Sequence, residues 1–463
     1  MRNTILSNVK LSDMKESSMK KKHPFFYVVC SLAIPVALQS MLQSSFWMVD
    51  QFMIGQLGSA SVAGVGMAGK FSSIFSFLIS TVGTIAGIMI SQYAGQKNRY
   101  EMKRSFYINL LVGAGTALLF TALCILAPGQ IMSLYTKDPA VKATSSSYLR
   151  ILSGTFLPMV GGTLLATYFR CMDKARLPLY VSIVSALVNT GLNYIFIFGK
   201  MGSPMLGADG AAIATVISQY VNFLLMLLFL LREKDFLQKS AAHAGKHVRF
   251  NWKQYSGMLL PVLISETAWS IGENVYAMIY GRMGTQASAA MALINPVQGL
   301  MIGALCGLSQ AAGIIVGKRL GNKEYDQAYA SARQLLLYGL VGSVILSLIT
   351  VLLSPFYVEI YKVEDTVKQL TQQILLAFAL VAPVKVLNMI LGGGVLRSGG
   401  KTKYVMGIDL IGTWGFGVPL GLLSAFVLKL SVPYVYFILS MEECVRLGIS
   451  AIVFRKKTWM RSL

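Results

Sequence analysis

Long apolar runs alternate with short polar connections along almost the whole of this chain. A helix that crosses a membrane needs about 20 consecutive, mostly apolar residues, and twelve runs meet that length. Several runs are longer, which predicts helices that tilt or that extend beyond the membrane. The predicted spans are 25–54, 60–94, 105–127, 148–169, 178–199, 208–231, 255–280, 286–317, 330–353, 371–396, 403–429 and 432–454.

Composition agrees with a membrane protein. Of the 463 residues, 55% are apolar and 13% are charged, and the mean hydropathy is +0.60. Soluble domains are about 45–50% apolar and about 25% charged. The sequence therefore predicts an all-α integral membrane protein with twelve transmembrane helices. It argues against a soluble enzyme, a disordered chain and a disulfide-stapled secreted domain.

Few side chains offer enzymatic or metal chemistry. The five cysteines are dispersed without a CxxC pair, so we expect neither a disulfide framework nor a zinc site. The histidines His23, His243 and His247 lie in polar stretches, which argues against an imidazole-based site inside the membrane. No P-loop, HExxH or GxSxG motif occurs. We therefore expect no enzyme activity and no cofactor.

The basic residues predict the orientation of the chain. If the first residues are cytoplasmic, 30 of the 41 Lys and Arg residues fall in inside segments or at the span ends beside them, 8 fall in outside loops or at the span ends beside them, and Lys70, Lys385 and Arg446 lie in the interior of spans. Such an imbalance places both ends in the cytoplasm of a cell (plasma or inner) membrane. It explains the net charge of +22 without nucleic acid as a partner. The predicted cytoplasmic segments are a tail at 1–24, a linker at 232–254 and a second tail at 455–463.

The chain repeats itself at an offset of 226 residues. Matched glycines and prolines in one register make chance agreement improbable. Each half holds six helices and enters the membrane in the same direction, so we predict an N-lobe at 25–231 and a C-lobe at 255–454. Parallel repeats indicate an axis along the membrane normal, a cavity between the halves and alternating access. The matches include Pro35 with Pro261, Gly55 with Gly281, Gly58 with Gly284 and Gly95 with Gly321.

Several segments in order resemble the multidrug and toxic compound extrusion (MATE) family. They are IPVALQSMLQSSFWMVDQFMIGQLG (34–58), VNTGLNYIFIFG (188–199), GADGAAIATVISQ (207–219), LPVLISETAWSIGENVYAMIYGRMG (260–284) and GGGVLRSGGKTKY (392–404). The resemblance covers residues 25–454. It implies a V-shaped, two-lobed antiporter that exports organic, often cationic, drug-like compounds in exchange for H⁺ or Na⁺. We expect a monomer in the lipid bilayer with no cofactor other than the coupling ion.

Acidic residues inside the spans are the first candidates for the chemistry, because a charge in hydrocarbon costs at least about 2.5–3.5 kcal/mol. Asp50 follows Pro35 by fifteen residues. This spacing matches the family's helix-1 aspartate, which the resemblance makes the cation- or proton-binding acid of the N-lobe. The alternative is a solvated carboxylate at the rim. Pro35 permits a kink in the first helix. In similar proteins, bending of this helix serves conformational switching; the alternative is a static kink.

Asn189 and Asn193 are four residues apart and share a face of the fifth helix. Their amides could surround a cation near Asp50, hydrogen-bond its protonated form, or only join two helices. Asn189 matches an asparagine of the family's network. At Asn193 many prokaryotic relatives carry aspartate, and its absence favours H⁺ over Na⁺ as the coupling ion.

The C-lobe offers further acids. Glu266 and Glu273 project from one side of the seventh helix, and Asp409 lies early in the eleventh. Some relatives couple ions or bind drug through a helix-7 glutamate, about one turn later than Glu266. We interpret these three as candidates for C-lobe coupling or drug binding. Glu442, Glu443 and Arg446 lie within one turn, and Glu442–Arg446 is predicted to be a self-neutralising i,i+4 pair.

The sequence therefore favours an ion-coupled multidrug efflux antiporter. One alternative is a lipid-linked saccharide flippase of the same superfamily, which a strongly cationic cavity would favour. A channel is disfavoured by the two-lobed repeat without a filter-like motif. An intramembrane transferase is the alternative from a different class.

Overall fold

The computed structural model describes residues 24–233, 250–361 and 363–463, and every regular element in these ranges is a helix. The predictions for the first tail, for the interior of the linker and for the three histidines fall outside the described residues. The described residues contain twelve longer helical segments, and a short helix, Pro128–Ser133, lies between the third and the fourth. The twelve are α1 Phe25–Gly55, α2 Ser59–Gly95, α3 Arg99–Leu126, α4 Pro139–Cys171, α5 Arg176–Phe198, α6 Gly207–Arg232, α7 Trp252–Met283, α8 Thr285–Gly321, α9 Tyr325–Glu359, α10 Asp365–Leu396, α11 Thr402–Val427, and α12 in two parts, Val432–Ser440 and Glu442–Arg455.

Ten of these segments are long and apolar enough to span a membrane, and the chain is a multi-pass membrane protein. The two that fall short are α7 and α12. Both carry carboxylates in otherwise apolar helices: Glu266 and Glu273 in α7, and Glu442 and Glu443 in α12. Polar residues therefore concentrate in two helices of the C-lobe, which consists of α7–α12.

Local interruptions distinguish the helices from the predicted spans. The α4 helix begins at Pro139, well before the predicted start at 148, because the Asp138 side chain caps it by accepting from the Ala140 N–H at 2.8 Å. A 3₁₀ turn at Ser153–Thr155 interrupts α4. The α12 helix breaks at Met441, immediately before its two glutamates. Wider π-helical turns occur in α10 at Met389–Leu396 and in α11, and such turns are frequent at functional sites.

The sequence repeat is also a repeat of backbone conformation. Gly58 precedes α2 with φ +95° and its counterpart Gly284 precedes α8 with φ +128°. After the same two helices, Lys97 and its counterpart Lys323 have φ of 55° and 62°. Non-glycine residues seldom adopt positive φ. Finding it at matched positions shows that the two helix connections are built in the same way.

At one end of the bundle α2 and α8 touch backbone to backbone. A Cβ on Gly95 would lie 1.9 Å from the Lys318 carbonyl oxygen, and a Cβ on Gly321 would lie 1.9 Å from the Gln92 carbonyl oxygen. Because Gln92 and Lys318 are also repeat counterparts, the contact is reciprocal across the pseudo-two-fold axis. Only glycine permits this approach. We call this end, marked by Gly95 and Gly321, the closed end.

Residues 459–463 cross between the lobes at the closed end. Trp459 is fully buried, and its carbonyl oxygen would lie 1.8 Å from a Cβ on Gly399. The Gln92 side chain donates to the Ser398 carbonyl at 2.6 Å and accepts from the Leu463 N–H at 2.7 Å. This segment therefore ties α2 of the N-lobe (α1–α6) to the α10–α11 connection of the C-lobe.

The first helix lies against the other lobe. A Cβ on Gly307 in α8 would lie 2.0 Å from the Ala33 carbonyl oxygen in α1. The α1 helix continues through Pro35 as a single element. Its close approach to α8 places the turn that precedes Pro35 at the interface between the lobes.

Candidate functional site

A cavity of about 690 Å³ separates the lobes beyond the closed end. Its N-lobe walls are α2 and α4, and its C-lobe walls are α7, α8 and α10–α12. Along α2 the lining extends as far as Ile88 and along α8 as far as Ile314. The next turn is sealed, because a Cβ on Gly317 would lie 2.3 Å from the Ser91 hydroxyl oxygen. The cavity is therefore closed off from the end where α2 and α8 meet.

The structure brings together the three polar residues proposed for the N-lobe. Asp50 is near the end of α1, and Asn189 and Asn193 are one turn apart in α5. The Asn193 amide donates to Asp50 Oδ1 at 2.6 Å and to Asn189 Oδ1 at 3.3 Å. Both asparagines are buried, Asn193 to within 1% exposure, while Asp50 is half-buried. A half-buried carboxylate thus meets two buried amides of a neighbouring helix.

The Asn189 amide can serve Asp50 in two orientations. With its nitrogen turned toward Asp50, it donates to the carboxylate at 3.0 and 3.2 Å. With its oxygen turned toward Asp50 instead, the amide can accept a hydrogen bond only from a protonated Asp50, because a carboxylate oxygen and an amide oxygen are both acceptors. In that second orientation Asn189 Nδ2 lies 3.5 Å from the Thr215 hydroxyl of α6. By rotating its amide, Asn189 can therefore hydrogen-bond Asp50 in either the ionised or the protonated state.

Metal-binding capacity at this site is limited. Within the described ranges no group of three or more His, Cys, Asp or Glu side chains comes together. A cation beside Asp50 would have one carboxylate and amide or hydroxyl oxygens, a donor set that suits hard cations. One such oxygen, Asn193 Oδ1, is buried without a hydrogen-bond partner among the described residues. The amide nitrogen that Asn193 presents to Asp50, however, occupies a position where a cation needs oxygen.

Two of the C-lobe candidates share one arginine. Arg397, at the end of α10, donates to Glu266 at 2.8 Å and lies 3.8 Å from Asp409 of α11. Asp409 also accepts a short hydrogen bond from the Ser265 hydroxyl. All four side chains line the cavity. The candidates Glu266 and Asp409 therefore meet, but they are largely neutralised by a base.

The α12 charges are also paired. Arg446 lies 3.7 Å from Glu442, the predicted i,i+4 pair, and Glu442 accepts from the Tyr276 hydroxyl at 2.5 Å. Glu443 accepts from the Asn388 amide at 2.8 Å. These contacts join α12 to α7 and α10. The charged turn follows the break at Met441, and Glu443 and Arg446 form part of the cavity wall.

Glu273 and Lys385 differ from the other charges. Both line the main cavity and a second cavity of about 400 Å³ inside the C-lobe. Neither forms an ion pair within 4 Å or a hydrogen bond with any described residue. Glu273 is exposed, whereas Glu266, two turns away on α7, is half-buried. The two glutamates of α7 therefore have different environments.

Sequence reasoning missed the contact residues that couple helices. Arg397 follows the predicted span 371–396, yet its guanidinium lies inside the C-lobe, against Glu266. Arg170 is similar: it lines the cavity and donates to Gln39 of α1 at 2.6 Å. Arg397 is 131 residues from Glu266, and Arg170 is 131 residues from Gln39, so no local pattern indicates these two contacts. Lys70, a basic residue predicted within an N-lobe span, is exposed.

The two lobes, the sealed end and the polar cavity between them define a membrane transporter. The MatE family model matches residues 35–195 and 261–423, one match in each lobe. The chain belongs to the MATE family of transporters and is not an enzyme.

Similar proteins and structures support this assignment. The chain is 21% identical to the uncharacterized transporter YisQ of Bacillus subtilis, over 98% of this chain and 99% of YisQ. It is 27% identical to the probable multidrug resistance protein YoeA of Bacillus subtilis, over 90% of each chain. Among solved structures, a MATE protein in complex with MaL6 superposes with a TM-score of 0.84 at 16% identity, covering 93% of this chain and 95% of that one. The Vibrio cholerae transporter VcmN in its bent form gives 0.82 at 19% identity, covering 94% and 97%.

Proposed function

We propose that this chain is a secondary active multidrug efflux antiporter that exchanges organic compounds for protons by alternating access. The observation that carries the proposal is the contact of Asp50 with Asn189 and Asn193 across α1 and α5. The probable multidrug resistance protein YoeA, similar over most of its length, supports small drug-like molecules as the substrates.

Asp50 is the coupling group in this proposal. The ionised carboxylate accepts from the Asn193 amide and, with Asn189 turned, from a second amide. The protonated acid donates to the Asn189 oxygen and retains the Asn193 bond. Each charge state thus has a satisfied hydrogen-bond pattern and a different α1–α5 contact. An ion can drive transport only through unequal affinity for two conformations, and this contact provides such a difference.

The donor set supports protons over sodium. A sodium site at Asp50 would contain a single carboxylate, and Asn193 presents nitrogen to it. A proton needs only one acceptor, which Asn189 provides. Sodium remains the alternative coupling ion, and the experiment below includes it.

The closed end is assigned to the cytoplasm. Lys97, Arg99, Lys318, Arg319 and Lys323 cluster where α2 and α8 finish, and an excess of basic residues is typical of cytoplasmic segments. With this orientation, the sealed contact at Gly95 and Gly321 separates the cavity from the cytoplasm. The conformation is then the one that releases substrate outward.

Ethidium accumulation in efflux-deficient cells tests the proposal. We compare empty vector, the wild type, Asp50→Asn and the control Asp326→Asn, which changes an exposed carboxylate at the start of α9. Each is measured with and without a protonophore and in sodium-free medium. Wild type and Asp326→Asn should lower dye accumulation only while the proton gradient persists. Asp50→Asn should behave like empty vector at equal expression.

The other outcomes are informative. Export that survives the protonophore and fails without sodium would replace the proton by sodium. Export by Asp50→Asn at wild-type rates would remove Asp50 from coupling. If well-expressed wild type accumulates dye like empty vector, multidrug export is rejected and flipping of a lipid-linked saccharide becomes the next activity to assay.

A further inference from the structure

The two lobes hold each other at the closed end in two different ways. On one side Lys318 of α8 pairs with Asp173 of the N-lobe at 2.7 Å, and the Asp173 side chain is 64% exposed. On the other side stands Gln92 of α2, the repeat counterpart of Lys318. It is fully buried and donates to the Ser398 carbonyl of the C-lobe at 2.6 Å. An exposed ion pair therefore joins the lobes on one side, and a buried amide joins them on the other.

The buried side is completed by residues 459–463, which we call the crossing segment. The Gln92 amide donates to the Arg461 carbonyl at 3.2 Å, and its oxygen accepts from the Leu463 N–H at 2.7 Å. One turn further along α2, the Gln96 amide donates to the Leu463 carbonyl at 3.1 Å. Residues four apart lie on the same face of a helix. Two glutamines on one face of α2 therefore bind the crossing segment.

The crossing segment is anchored to the C-lobe. Trp459 is fully buried against Phe454 of α12, which in turn stacks on Tyr329 of α9 with ring centres 4.6 Å apart. A Cβ on Gly399 would lie 1.8 Å from the Trp459 carbonyl oxygen. Toward the N-lobe, the segment offers its hydrogen bonds to the glutamines and the Leu463 side chain, which packs on an apolar cluster shared by α2 and α7. Water can replace neutral hydrogen bonds at small net cost, whereas exposing a buried indole is expensive. When the lobes part, the segment should therefore stay with the C-lobe.

We infer that residues 459–463 form a latch that holds the closed end shut and that releases Gln92 and Gln96 whenever this end opens. The inference rests on alternating access, which is part of the proposed function, and it adds the element that sets the conformational equilibrium. Because Gly95 and Gly321 lie against backbone of the opposite lobe, opening this end must separate α2 from α8. The two glutamines then exchange the crossing segment for water. The free energy of their hydrogen bonds therefore favours one of the two conformations.

Distances between two spin labels at the closed end test the inference. The labels are attached at Arg176→Cys, at the start of α5, and at Gln327→Cys, near the start of α9, in a background without native cysteines. Both positions are exposed, and they lie in different lobes. Double electron–electron resonance on protein purified into lipid nanodiscs then reports the separation of the lobes. It does so whether or not any compound is exported, so failure of the inference is distinguished from failure of the proposed function.

Four variants separate the latch from the other contacts. Gln92→Met/Gln96→Met removes the hydrogen bonds but keeps side chains of similar length, and deletion of residues 459–463 removes the latch itself. Asp173→Asn breaks the exposed ion pair at a position with φ of 60°, which asparagine tolerates. Gln56→Met, at an exposed glutamine after α1, is the control. Elution from a size-exclusion column establishes that each variant is folded.

In the wild type one short distance should predominate. The double variant and the deletion should each raise the ratio of long to short distances roughly tenfold or more, as expected for the loss of two neutral hydrogen bonds. Asp173→Asn should change this ratio less than about threefold, because exposed ion pairs contribute little, and Gln56→Met should leave it unchanged. An unchanged distribution in the double variant, or an equal change in Asp173→Asn, would overturn the inference. If the deletion variant does not fold, the double variant decides.

Discussion

Arg397 donates to Glu266 across 2.8 Å, linking the end of α10 to the middle of α7. The arginine side chain is mostly buried and the glutamate side chain is about 30% exposed. Asp409 lies on the other side of the same guanidinium. This arginine is therefore the charge that allows two carboxylates to share one wall of the cavity.

Removing that charge should destabilise the C-lobe. Arg397→Met leaves Glu266 and Asp409 facing each other without a base, and breaking a buried pair costs about 3–5 kcal/mol. Partial exposure of Glu266 reduces this to roughly 2 kcal/mol. We expect the Tm of detergent-purified protein to fall by several degrees. The double variant Arg397→Met/Glu266→Gln should recover part of the loss, and an unchanged Tm in the single variant would contradict this account.

The reciprocal glycine contact predicts a conformational effect. Gly95→Ala and Gly321→Ala each place a methyl group about 1.9 Å from a carbonyl oxygen, so α2 and α8 must separate at the closed end. A cysteine introduced at Ser91, in a background without native cysteines, should then react faster with a membrane-permeant thiol reagent. Gly257→Ala is the control, because a Cβ there meets nothing within 4 Å. Equal labelling rates in all variants would show that the contact does not hold this end shut.

Asn193→Asp should change the ion dependence of transport. It places a second carboxylate about 2.6 Å from Asp50 Oδ1. Two ionised carboxylates at this distance repel strongly, and a cation or proton between them relieves the repulsion. We expect dye efflux from proteoliposomes to become stimulated by NaCl relative to choline chloride at fixed pH. Asn322→Asp, on the exposed cap of α8, should show no stimulation. The same result for both variants would exclude this site as the origin.

Trp459 should contribute strongly to stability. Its indole is fully buried, stacks on Phe454 with ring centres 5.7 Å apart, and donates to the Phe454 carbonyl. Replacing a buried tryptophan by alanine typically costs about 3–5 kcal/mol. Trp459→Ala should therefore lower the Tm more than Trp252→Ala, because Trp252 is exposed. Similar shifts for the two substitutions would mean that residues 459–463 are held loosely.

Much of the fold was predictable because the membrane dictates helices of a certain length and apolarity. The repeat offset was also readable, and it correctly aligned the connections at Gly58 and Gly284. The break at Met441 was not, because an i,i+4 charge pattern such as Glu442–Arg446 is compatible with an uninterrupted helix.

The candidate site was predictable only in part. Asp50, Asn189 and Asn193 were grouped through helix periodicity and the family resemblance, and the structure brings them together. Their roles in coupling remain predictions. The partner of Glu266, which is Arg397, could not be read, because it depends on which faces of α7 and α10 meet, and side chains more than a hundred residues apart leave no local signature.

Gly95 contacts Lys318, and Gly321 contacts Gln92 in the same way. This pair of contacts has the symmetry of an isologous dimer interface, in which the same surface patch of two subunits meets itself. Each half of the chain therefore carries both members of the contact, a glycine without a Cβ and a backbone carbonyl that packs against the partner half's glycine. Two separately expressed polypeptides, one ending after α6 and the other beginning before α7, should recognise each other through this surface. In that sense the single chain is a covalently joined pair of subunits.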